Sequence, residues 1–140
     1  MTNTDVESAL GEAYTRAWVE VALPGRDVHL PPIASGLRAP LPAPLRPFAT
    51  IVTAYNPMSA PRPAAENLWR NTALGATLRA AGFVAYPALG RDAERSWVEP
   101  SFAVVGAPVA AVRLLARRWG QAAIYVVDDD GLHLRWCAGA

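Results

Sequence analysis

The spacing of apolar residues changes period several times along the chain, and each change marks an element. Residues 4–12 place Val6, Ala9 and Leu10 at helical spacing, with Thr4 as a cap and Asp5 and Glu7 in the first turn, which predicts a short helix. Over residues 14–22 the pattern turns to alternation, with Thr15, Ala17, Val19 and Val21 on one side and Tyr14, Arg16, Trp18 and Glu20 on the other, as in a strand. Residues 48–55, FATIVTAY, read as a second strand, ended by Asn56-Pro57. Pro61 and Pro63 then lead into a helix over 64–81, stopped by Gly82, whose apolar row runs through Leu68, Leu74 and Leu78 while Gly75 allows close approach. Strands follow at 83–89 and 97–105, joined by a turn over 90–96. In the second of them Val98, Phe102 and Val104 face the core, and Pro100 implies an edge position or a bulge. A helix over 108–119 buries Val109, Val112, Leu115, Ala116 and Trp119, and two strands at 121–127 and 132–136 close the chain around an Asp130-Gly131 turn.

The order is therefore α-β-β-α-β-β-α-β-β. Hairpins interspersed with helices predict an α+β fold: a mainly antiparallel sheet of five to six strands with two main helices packed on it and a short N-terminal helix. Residues 1–140 suit a single domain. Residues 23–47 hold seven prolines, and proline neither donates to a ladder nor continues a helix, so this Pro-rich stretch reads as a long surface loop.

Composition narrows the function classes. Formal net charge is +1, from 13 basic and 12 acidic residues, so no global charge calls for nucleic acid or an anionic membrane. Every basic side chain among them is Arg, which reads as the coding bias of a GC-rich bacterial genome. A single cysteine, Cys137, allows no internal disulfide, and with only His29 and His133 it makes no zinc site, so neither metal nor cofactor is expected. The polar residues Thr2–Asp5 lack the pattern of a signal peptide, and no run approaches the roughly 18 apolar residues of a membrane helix. A cytoplasmic protein is expected.

Three segments carry candidate chemistry. One is residues 54–57, where a strand turns toward a helix. Another is Asn67 and Asn71, one turn apart beside the apolar row, where amides either satisfy buried backbone or face a pocket. The third is GRDAERSWVEPSF, with Arg91, Asp92, Trp97, Glu99 and Ser101. Glu99 either forms a structural ion pair with Arg91 or another arginine, or serves as a base or ligand anchor tuned by Arg91. Gln121 follows a helix cap and can close a hydrogen-bond network. There is no nucleotide-binding glycine loop and no GxSxG elbow, and Ser101 has no evident His partner.

The motifs TAYNP (53–57), ENLWRN (66–71), GRDAERSWVEPSF (90–102) and WGQAAIYV (119–126) together resemble the bacterial family known as domain of unknown function 3293. The resemblance spans residues 14–134, apart from the Pro-rich loop, and implies a small single-domain protein without an assigned activity. Its recurring positions correspond to Asn56, Asn67, Glu99 and Gln121.

Three function classes follow. Amides, a guanidinium and one carboxylate suit recognition, so the leading expectation is a binding or regulatory module. It would hold a small polar ligand or a partner's loop with Asn56, Asn67, Asn71, Arg91 and Glu99, and with Trp97 as an apolar wall. That expectation requires a pocket holding at least three of the first five. The second class is an enzyme with Glu99 as general acid or base. The third is nucleic-acid binding through Arg113, Arg117 and Arg118, disfavoured by Asp128, Asp129 and Asp130 nearby in sequence.

Overall fold

Strand β3 (Ala49–Val52) is buried on both faces, and the fold is arranged around it. The computed structural model describes residues 3–56 and 60–138, with side chains from residue 9 onward. Flanking β3 are β5 (Val98–Val105) and β6 (Ala123–Asp128), both antiparallel to it. Beyond them lie β4 (Val84–Arg91), β1 (Trp18–Leu23) and β2 (Arg26–Leu30) on one side and β7 (Gly131–Trp136) on the other. The result is a curled, seven-stranded antiparallel sheet in the order β2-β1-β4-β5-β3-β6-β7. Helices α1 (Asn3–Arg16), α2 (Ala64–Ala80) and α3 (Val109–Arg118) complete the α+β fold.

Alternation along the strands feeds two cores. Val52, Phe102, Val104 and Ile124 point to one face and pack with Leu74 and Leu78 of α2 and Val112 and Ala116 of α3. Gly75 is required in that contact, because a Cβ there would come within 2.7 Å of the Phe102 ring. Val19, Val21, Ile51, Ala103 and Val127 point to the other face. The Pro-rich segment packs on it, with Leu41 and Leu45 fully buried against the strands, and α1 reaches it through Tyr14, whose ring meets Tyr125.

Residues 23–47 are therefore not a surface loop. Arg26–Leu30 contains no proline and pairs with β1 as the sheet's edge, which is the seventh strand beyond the five to six expected. The remainder forms short 3-10 turns at Ile33–Ser35 and Ala43–Leu45. Proline stiffens this stretch without ladder bonds, and the leucines between the prolines supply the apolar contact.

Three smaller expectations also change. Residues 14–16 continue α1 rather than beginning a strand, and β1 starts at Trp18. The proposed roles of Thr4, Asp5, Val6 and Glu7 lie outside the described side chains. Leu68 is exposed, and the buried row of α2 is Asn67, Asn71, Leu74, Gly75 and Leu78. Val98 is also exposed, at the end of β5. As expected from its proline, Pro100 stands at a local edge, although β5 is an interior strand over the rest of its length. The β3–β5 ladder ends at Val52 opposite Phe102, so at Pro100 only the β4 flank is paired and the missing donor is tolerated.

Candidate functional site

Beyond Val52 the chain leaves the sheet while β5 continues beside it, which opens one end of the sheet. The departing segment is held at each residue. Thr53 Oγ1 donates to the Pro100 carbonyl at 2.7 Å and accepts from Tyr55 N–H at 3.0 Å. Ala54 N–H donates to Asn71 Oδ1 at 3.2 Å, and Arg70 Nε donates to the Ala54 carbonyl at 2.8 Å. Gln121 Nε2 donates to the Tyr55 carbonyl at 3.0 Å.

Asn56 sits at the end of this segment with φ of 44°, a left-handed conformation that asparagine tolerates better than most residues. Its N–H donates to Asn67 Oδ1 at 2.9 Å. Its Oδ1 accepts from Asn67 Nδ2 at 2.7 Å and from Arg62 N–H at 3.1 Å. A backbone N–H can only donate, so the bond from Arg62 fixes which end of the Asn56 amide is oxygen. The amide nitrogen is thereby turned toward Glu99, and Nδ2 donates to Glu99 Oε1 at 3.1 Å.

Glu99 lies on the face of the sheet covered by the Pro-rich segment, since it alternates with Ser101 and Ala103. Burial pushes its carboxyl up to about 7, and the Asn56 hydrogen bond opposes that rise. No cation lies within ion-pairing distance of it among the described residues. A cleft of about 360 Å³ opens over it, walled by Leu10 and Tyr14 of α1 on one side and by Trp97 on the other, with Asp92 at its edge. A narrower recess runs on toward Ser101, Gln121 and Tyr125. Helix α1 is seated by Tyr14, which makes edge contacts with Tyr125 and Trp136, while the Tyr125 hydroxyl donates to the Tyr14 carbonyl at 2.5 Å. Burial pushes the Tyr125 phenol well above its usual range, with Tyr14 and Glu99 adding to the rise. Asp92 is held below the usual carboxylate range by the Ser96 hydroxyl and the Trp97 N–H. Among the described residues, no group of three His, Cys, Asp or Glu is placed to hold a metal ion.

Of the residues singled out from sequence, Asn56, Asp92, Trp97 and Glu99 line the cleft, and Ser101 and Gln121 line its inner recess. Asn67 and Asn71 do not; both are buried and spend their amides on the segment after β3, so the backbone-satisfying alternative is the one observed. The required three of five are therefore reduced to two, Asn56 and Glu99. Arg91 is on the opposite face. Gly90 is the residue that pairs with Glu99, whereas Arg91 pairs with Val98, and a one-residue step reverses the face. Arg91 instead bonds Glu20 and stacks over Trp18 at 5.2 Å, with Arg95 adding a second bond to Glu20 at 2.6 Å. Burial raises the Glu20 carboxyl, but the Arg91 hydrogen bond and the charges of Arg95, His29 and Arg91 outweigh it and hold the group low. Arg91 thus tunes Glu20, not Glu99.

Sequence reasoning missed Tyr14 and Tyr125 as lining residues. Leu10, Ala13, Tyr14 and Ala17 recur at helical spacing, a signal for extending α1 that the competing alternation masked. Of the basic trio on α3, Arg113 is half-buried and Arg117 and Arg118 are exposed. Arg113 and Arg117 lie near enough to Cys137 to oppose the rise that burial imposes on its thiol.

A curled antiparallel sheet, backed by two helices and opening at one end onto a half-buried carboxylate, defines an α+β domain with an acidic cleft. The chain belongs to the family described as Protein of unknown function (DUF3293), which matches residues 52–124. That span carries Asn56, Asn67, Trp97, Glu99 and Gln121, while the α1 wall and Tyr125 lie outside it. No curated protein and no solved structure shows a significant match to the chain. No helix among the described residues is long and apolar enough to cross a membrane.

Proposed function

We propose that this chain is a binding module that holds a small polar ligand in the cleft over Glu99. Glu99 and Asn56 supply the polar contacts, Trp97 and Tyr14 the apolar walls, and Gln121 the end of the inner recess. The observation that carries this reading is Glu99 itself. A carboxylate drawn partly out of water without a cation partner weakens the fold, and such a group persists where a ligand contact compensates. The cleft volume falls within the roughly 300–1,000 Å³ of small-molecule sites. Asn67, Asn71 and Arg70 act one layer behind, fixing the segment that aims Asn56.

Native mass spectrometry of freshly purified protein tests this reading. A co-purifying small molecule that is lost in Trp97→Ala is the expected result. A bare wild-type mass, together with a fragment screen in which nothing moves the Trp97 indole resonance, refutes it.

A second reading is an enzyme in which Glu99 moves protons. It is favoured by the same ionisation near 7, where a carboxyl both takes and returns a proton at neutral pH. Loss of a discovered activity in Glu99→Gln, with no loss of thermal stability, is its test.

A further inference from the structure

The cleft over Glu99 is lined by two carboxylates, and its one guanidinium is already paired, an imbalance that bears on what it can hold. Glu99 Oε1 receives only the Asn56 amide, and Oε2 has no hydrogen-bond partner among the described residues. Oε2 is also not sealed from solvent-sized space, since the sole fully buried, unpartnered side-chain polar atom among the described residues is Arg113 Nε. Several neutral donors nearby are engaged, Asn56 Nδ2 on Glu99, the Tyr125 hydroxyl on the Tyr14 carbonyl and Gln121 Nε2 on the Tyr55 carbonyl, and the others in the aromatic walls, such as the Trp97 indole N–H, carry no charge. Charge points the same way. Asp92 adds a second carboxylate at the edge, while the one guanidinium on the rim, Arg16, is exposed and paired with Glu12 at 2.8 Å. The walls are an indole and a phenol, whose faces attract cations. An anionic ligand would meet two carboxylates and no unpaired cation among the described residues that line the cleft.

We propose that the cleft takes a small organic cation, an amine or amidinium with an apolar body, whose N–H groups meet Glu99 and whose body lies between Trp97 and α1. This rests on the binding reading above and specifies its ligand class. A neutral hydroxyl or amide could pair the second carboxylate oxygen but would leave the charge of Glu99 uncompensated. An ammonium or amidinium satisfies it with a charge-assisted bond, stronger in a half-dry cleft than in water. Binding is then linked to the ionisation of Glu99. The titratable groups that face it are Tyr14 and Arg16 from α1, Asp92 from the β4–β5 turn and Tyr125 from β6. Asp92 is held ionised and Tyr125 neutral, so neither changes charge between pH 6 and pH 8.

The experiment compares three probes of similar shape: phenethylamine, 2-phenylethanol and 3-phenylpropionate. Amide and indole NMR shifts report the location and isothermal calorimetry reports the affinity. Phenethylamine is expected to move the Trp97 indole and Asn56 signals. It should bind roughly tenfold more tightly at pH 8 than at pH 6, the change in ionised fraction of a group titrating near 7. Calorimetry in two buffers of different ionisation enthalpy should show nearly one proton released per phenethylamine at pH 6 and almost none at pH 8, a readout on the wild-type protein. Glu99→Gln should bind at least about tenfold more weakly at pH 8 and lose the pH dependence. If 2-phenylethanol or 3-phenylpropionate moves the same signals with equal affinity, the cation class is overturned and the binding reading stands. If none of the three moves them, both fall.

Discussion

Replacing Glu99 by Gln should stabilise the protein, and by an amount that grows with pH. In the folded chain the Glu99 carboxyl titrates near 7, against an ordinary value of 4.5, because burial disfavours the charged form. Between those two values the native state holds a proton that the unfolded chain has released. Stability from this group is thus fully present below about pH 4.5 and is lost as pH rises toward 7. At 1.36 kcal/mol per pH unit, the gap amounts to about 3 kcal/mol, reduced toward 2 by screening where the cleft admits water. Glutamine keeps the shape and the acceptor that receives Asn56 Nδ2, but it never ionises. Urea unfolding of both proteins at pH 5, 6, 7 and 8 isolates the effect, because every other titrating group cancels in the difference. The variant is expected to lead by under about 1 kcal/mol at pH 5 and by about 2–3 kcal/mol at pH 8. A difference that stays flat across this range, or a wild-type Glu99 carboxyl that titrates near its ordinary value by NMR, would refute the reasoning.

Other substitutions test the neighbouring parts of the argument. Gly75→Ala gains about 1 kcal/mol of helix propensity but forces the Phe102 ring to move, an overpacking cost of about 1–3 kcal/mol, so a net loss of midpoint in urea unfolding is expected. Asn67→Ala strips Asn56 of its partner for N–H and of one donor to Oδ1, so stability should drop by about 2–4 kcal/mol in thermal melts; freeing Asn56 from Glu99 should raise the Glu99 titration further. Leu45→Ala, in the Pro-rich segment, should cost about 2–5 kcal/mol if this stretch is core; a loss under 1 kcal/mol would return it to the status of a surface loop. Arg91→Ala should leave the Glu99 titration unmoved, because Arg91 lies on the other face, and should raise that of Glu20, both read by carboxyl NMR.

What was legible in the sequence divides along a physical line. Helices α2 and α3 are bounded by Pro63, Gly82, Pro108 and Gly120, local signals whose action needs no partner. The boundary position of Asn67 and Asn71 also follows from helical period alone, and both are indeed buried beside Leu74 and Leu78. The face assigned to Arg91 needed more, namely the register between β4 and β5. With Gly90 opposite Glu99, the two charged residues that look adjacent in sequence are separated by the thickness of the sheet. The Pro-rich segment misled for a related reason. Proline density reports what the backbone cannot do, and says nothing of whether Leu41 and Leu45 between the prolines find an uncovered sheet face. Register is also what makes Glu99 unusual. Its own strand is ordinary core from Ser101 to Val104, and β6 lies on the far side of β3. Had β3 run two residues further, its ladder would have closed over Pro100 and no departing segment would carry Asn56 to the carboxylate. The short length of β3, held at Val52 by the amides of α2 and by Thr53, converts a strand position into the floor of a cleft. The site is therefore a property of where one strand stops, and the side chains that stop it are the asparagines that first resembled ligand contacts.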